Sequence, residues 1–163
     1  MADAVPFRSR DDDMLLEFLE QHVEPLRLLF SDLDWNSVGG ELASLVVSYL
    51  ARFKNQLDSF VAGGSARVVA ANEHTKAGCK SGAKYVAGLT GKSEKTASRE
   101  LGLVKSLAEL PSVKESFSQG EISFEMAEAI VISADGDSEI AAELLSKAAS
   151  CSVEEVRHRG REL

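Results

Sequence analysis

The sequence predicts an all-α fold, with one long amphipathic helix and a bundle of about five to seven shorter helices. Three observations carry that expectation. Apolar residues recur at three- and four-residue steps, and no window sustains the period-two alternation of a strand. Helix formers dominate the composition, with alanine, leucine, serine, glutamate and valine foremost. Only three prolines interrupt the chain.

Residues 1–9 read as a flexible terminus and 10–163 as a single helical domain. That domain holds N-terminal helices over 10–75 and a compact multi-helix part over 76–163. Asp11, Asp12 and Asp13 precede the pattern Leu15, Leu16, Phe18, Leu19 and Val23, so the triplet caps a first helix at its positive end. Pro25 is expected to kink or divide that helix. Residues 31–40 read as a loop, with the Gly39–Gly40 pair at its end.

The most regular pattern follows: Leu42, Leu45, Val46, Tyr49, Leu50, Phe53, Leu57, Phe60 and Val61 fall on one face of a long helix. The preferred reading makes this stripe the domain core; the alternative mates it with a second copy. At Gly63–Gly64 the helix is expected to bend or to pass close to another backbone, then resume through Ala71.

Shorter elements complete the chain. Ala83–Leu89 forms two turns closed by Gly91, and Ser93 caps a helix running to about Leu110. Pro111–Phe117, Ser123–Ile132 and Ile140–Ala149 follow, separated by Gly120 and the Asp135-Gly136-Asp137 turn. Ser152 and Glu155 form a capping box for the last helix.

Composition excludes several functional classes. Cys79 and Cys151 are too few for a disulfide framework or zinc site, and His22, His74 and His158 are isolated. No secretory leader opens the chain, and the most apolar stretch, Leu42–Ala51, is half a membrane span; the expectation is cytoplasmic, with no membrane partner. Gly91-Lys92-Ser93 lacks the earlier glycine and strand of a phosphate-binding loop. The 135–139 acidic run lacks calcium-loop spacing. Glu121, Glu125 and Glu128 read as a solvated acidic face. No catalytic set, cofactor site or metal site is expected.

Charge is more informative. The formal net charge is −8, yet residues 1–75 carry −6, 76–105 carry +5 and 106–163 carry −7. The basic island coincides with a helix–glycine turn–helix layout over 83–110, resembling a helix-turn-helix. On its second helix Ala97, Leu101, Val104 and Ala108 fall on one face, with Lys92, Lys95 and Arg99 opposite. The first set is expected to pack. Lys92, Lys95, Ser98 and Arg99 would then touch double-stranded DNA, with Lys84 and Lys105 as outlying phosphate contacts. The plain alternative is a helical hairpin with a solvated basic face. Lys92 stands where such units usually bury an apolar residue.

Several motifs together carry a family resemblance. They are Gly91-Lys-Ser-Glu-Lys-Thr-Ala-Ser-Arg-Glu-Leu101, Leu107-Ala-Glu-Leu-Pro111 and Gly120-Glu-Ile-Ser123 with Ala127 and Ala129. Ser152-Val-Glu-Glu-Val156 with Arg157, Arg159 and Arg161 closes the set. Over roughly the last 100 residues the chain resembles the actinobacterial domain of unknown function 222, or 13E12 repeat family. That resemblance implies the helical region that usually precedes an HNH endonuclease module, whose histidine–asparagine–histidine site the 163 residues do not contain. It implies a non-catalytic DNA-binding or substrate-positioning domain. The rival expectation is a dimerisation or protein-interaction module, including a homodimer through the long helix.

Overall fold

The structure is a computed structural model that describes residues 12–162. The terminus expected over 1–9 and the cap expected at Asp11 lie outside them. Among the described residues there are nine α-helices and no strand. The chain divides into two compact units, with the boundary between Leu45 and Val46.

In the first unit, α1 (Asp12–Asp32) runs unbroken through Pro25. The expected division is absent. A proline removes one donor and crowds one carbonyl, costs that a 21-residue helix tolerates without breaking here. His22 Nδ1 lies 2.7 Å from the Phe18 carbonyl, and the two rings stack with centroids 4.0 Å apart. A short 3-10 turn, Trp35–Ser37, capped by Asp34, occupies the stretch expected to be loop.

The second helix, α2 (Gly40–Ala70), is continuous for 31 residues. Its glycine pair does not interrupt it and admits no close neighbour, because a Cβ at Gly63 or Gly64 would meet nothing within 4 Å. More consequential is which face packs. Within the second unit Asn55 donates to the Gly120 carbonyl (3.4 Å), Ala62 is buried and Val69 lies against Gly82. Asn55, Ala62 and Val69 form the contact with the bundle. The large apolar residues lie roughly 150° around the helix, at 3.6 residues per turn. Tyr49 is 75% exposed and Phe60 68%, with Phe53 and Leu57 also exposed. The expectation that this stripe forms the core is therefore overturned.

The core lies in the shorter helices. Next come α3 (Glu73–Lys76), α4 (Gly82–Thr90), α5 (Glu94–Ser106), α6 (Pro111–Ser118), α7 (Phe124–Ala134), α8 (Ser138–Ala148) and α9 (Val153–Arg159). Side chains of Ser81, Ser93, Ser123, Asp137 and Ser152 each accept a backbone N–H at a helix start, and Pro111 opens α6 at its first turn. Each cap satisfies a donor the helix itself leaves unpaired. Leu103, Leu110, Val113, Phe117, Ile130, Leu144 and Val156 fill one contiguous cluster, with α7 in contact with α5, α6, α8 and α9.

Among the positions that require glycine, two shape the site. Gly91 ends α4 with φ +68°, and Gly120 has φ +71°. A Cβ on Gly120 would sit 2.3 Å from the Arg52 carbonyl oxygen, so α2 crosses directly over this turn. Accordingly Gly120→Ala should destabilise the chain by more than about 1 kcal/mol, while Gly63→Ala, in open helix, should stabilise it by about 0.5–1 kcal/mol. Urea unfolding of both variants checks the opposite signs.

The capping box at α9 carries a pH dependence. The Ser152 backbone N–H (2.7 Å) and hydroxyl (2.9 Å) donate to Glu155 and hold its carboxyl below its ordinary value of 4.5. Its folded value lies below its unfolded one. Its contribution is thus present at neutral pH and lost as pH falls through the folded value. Thermal melts of wild type and Glu155→Ala should differ most near neutrality and converge in acid.

Candidate nucleic-acid interface

The helix-turn-helix-like unit forms as α4, the Gly91 turn and α5, which pack against each other. Ser93 accepts the Thr96 N–H at 3.1 Å and fixes the start of α5. The buried stripe of α5 is Ala97, Glu100, Leu103 and Leu107, whereas Leu101 and Val104 are half-buried and Ala108 is exposed. Relative to the face expected from the sequence, the helix is rolled by roughly 75°. The roll brings Arg99 to the edge of the packed surface.

That roll changes what the basic residues do. Lys92 Nζ lies 2.6 Å from Glu100 Oε1, and Glu100 is only 7% exposed. The lysine at the position expected to be apolar therefore folds back to neutralise a buried carboxylate. It is not a free phosphate contact. The other oxygen, Oε2, has no hydrogen-bond partner; the lysine supplies the direct ion pair to this carboxylate, and Arg99 adds a weaker charge interaction.

Arg99 is held in the same manner. Its Nε donates to Glu128 Oε1 at 2.8 Å and its Nη2 to Oε2, a bidentate pair. Its guanidinium also stands 5.6 Å from the Phe124 ring centroid. The hydrogen bond and charge of Glu128 raise the arginine's pKa further above its already high value. Arg157, on α9, approaches the same carboxylate at 3.8 Å. Glu128 is thus not part of a solvated acidic face: its side chain is 12% exposed and gathers two arginines. Glu121 lies 4.0 Å from Arg52, and Glu125 contributes to raising the pKa of Lys54, whose main cause is its hydrogen bond to Asp58.

Lys84, Lys95 and Lys105 are exposed and have no ion pair among the described residues, and Ser98 is exposed as well. On α5, Lys95 and Lys105 flank the small residues Ser98 and Gly102, a smooth strip bordered by positive charge. Glu94 sits beside it and accepts from the Ser81 hydroxyl at 2.9 Å. Sequence reasoning missed Glu128 as an organiser and Arg157 as its second cation. The signal was present in the arginine cluster of the closing helix, but no spacing rule ties α9 to α5.

Among the described residues no group of three or more His, Cys, Asp or Glu side chains gathers at metal-binding distance. No helix among them is long and apolar enough to cross a membrane. One surface depression of about 500 Å³ is lined by Ser48, Ala51, Arg52, Asn55, Gly120 and Glu121. No protein-family model, curated protein or solved structure matches the chain.

The Lys92–Glu100 pair yields a stability test. Lys92→Met should destabilise the fold by about 3 kcal/mol, because it strands a buried carboxylate. The double change Lys92→Met, Glu100→Leu should recover most of that loss in chemical denaturation.

Proposed function

We propose that this chain is a non-catalytic helical docking domain that works through protein–protein contact on the outward face of α2. The observation that carries this reading is the orientation of that helix. It turns Asn55, Ala62 and Val69 to the bundle and leaves Tyr49, Phe53, Leu57 and Phe60 in solvent. Isolated exposed apolar residues are ordinary, but a contiguous patch of several hundred Å² marks an interaction surface.

The reading makes a direct prediction. The face is either covered by an associated chain or open to an apolar dye. Light scattering with 8-anilinonaphthalene sulfonate fluorescence on the full chain distinguishes these states. Tyr49→Ser with Phe60→Ser should reduce association or dye binding while leaving the circular dichroism unchanged. A monomer that binds no dye would sink the docking reading.

A second reading, contact with double-stranded DNA, draws support from the exposed strip of Lys95, Ser98 and Lys105 and from outlying Lys84. The resemblance to the region preceding HNH nuclease modules supports the same role, as a substrate-positioning part of a DNA-processing protein. Lys92 and Arg99 are engaged internally, so few cations remain to release counterions. Binding on this reading is weak and steeply salt-dependent. Lys95→Glu with Lys105→Glu should abolish a low-salt mobility shift without altering the melting temperature. A shift that survives the double change rules this strip out as the contact.

A further inference from the structure

The unit built from α4 and α5 presents outward cations but almost no means of reading bases. Side chains that tell base pairs apart in the major groove are chiefly arginine, lysine, asparagine, glutamine and the carboxylates. Neither α4 nor α5 contains an asparagine or a glutamine. The one arginine of the two helices, Arg99, spends its Nε–Nη2 fork on Glu128. Glu100 is buried against Lys92, and Glu94 accepts from the Ser81 hydroxyl. Ser98 remains outward, and a serine hydroxyl, donor and acceptor at once, serves any base.

The two outward lysines of α5 are placed for phosphates instead. Lys95 and Lys105 are ten residues apart, about 15 Å along the helix axis and roughly 80° around it. That separation exceeds the ~12 Å width of the major groove, so the two ammonium groups reach opposite strands when the helix between them enters it. Between them the surface is low. Ser98 is small, and a Cβ on Gly102 would meet nothing within 4 Å. Lys84 on α4 supplies a third outward cation.

We infer that this unit binds double-stranded DNA without sequence preference, with α5 bridging the major groove. Lys95 and Lys105 take phosphates of opposite strands, and Gly102 faces the groove floor. This rests on the DNA reading above and names what that contact reads: backbone charge and groove width, not base identity.

Fluorescence anisotropy of the full chain with short A·T-rich, G·C-rich and mixed duplexes tests the inference. The affinities should agree within about threefold, because phosphate contacts carry no sequence information. The logarithm of the association constant should fall against that of salt with a slope of about −2.7, from three phosphates at ~0.9 each. Lys95→Gln and Lys105→Gln should each reduce that slope by about one on every duplex. Gly102→Leu, which the open space there lets the fold accept, should weaken every duplex at least about tenfold with no fall in melting temperature. A preference of about tenfold for one duplex, or equal affinity for a single strand, overturns the inference and leaves the DNA reading standing. So does a Gly102→Leu chain that binds unaltered, or a slope moved by only one of the two lysines. A slope that neither lysine variant moves, or no anisotropy change with any duplex at low salt, sinks both.

Discussion

Four helices can converge on α7 because its inward side chains are small. Ala127 and Ala129 are fully buried and Ala134 nearly so, with Met126 and Ile130 filling the spaces between them. Alanine at a crossing lets helix axes approach toward the short end of the usual 8–10 Å range. The larger residues then come from the neighbours, Phe117 from α6, Leu144 from α8 and Val156 from α9. Helices of 7 to 13 residues are too short to persist alone. Their stability comes from this shared contact and from the side-chain caps that spare each helix start an unpaired donor.

The same helix sorts the positive charges. Glu128 projects from α7 at the edge of the core, where a lone carboxylate would be costly to bury and two arginines stand within reach. Arg99 from α5 and Arg157 from α9 are drawn onto it, which links three helices by one charge cluster. Glu100 does likewise for Lys92 inside the α4–α5 unit. The basic island of the sequence is thus divided by burial. Cations beside half-buried acids become structural, and those on the far side of α5 stay available.

Local rules expressed in neighbouring residues were legible in the sequence. The serine caps at positions 93, 123 and 152, the Gly91 terminus and the Ser152–Glu155 capping box all involve partners within four residues. The facing of helices was not. The stripe on α2 showed that an apolar face exists, but periodicity cannot tell what that face meets. The bundle contact is carried by Asn55, Ala62 and the close passage over Gly120, none of which raises a hydrophobic signal. On α5 the difference has a specific source: Glu100, a charged residue that no hydrophobic pattern includes, belongs to the packed face, and its burial is possible because Lys92, eight residues earlier, returns to meet it. Four-residue α3 was too short for any periodicity to register.

The apolar face of α2 and the basic strip of α5 have one origin in how the bundle distributes its contacts. Lys92 and Arg99 are held by Glu100 and Glu128, so the strip keeps only the cations that no buried acid draws in. Each such exposed cation interacts weakly through water and salt. The face of α2 arises in the complementary way. Asn55, Ala62 and Val69 supply the bundle contact, so Tyr49 and Phe60 stay in solvent. In both helices the residues that look most functional in the sequence are sorted by which neighbours the core requires, and what remains outward is what the core does not use.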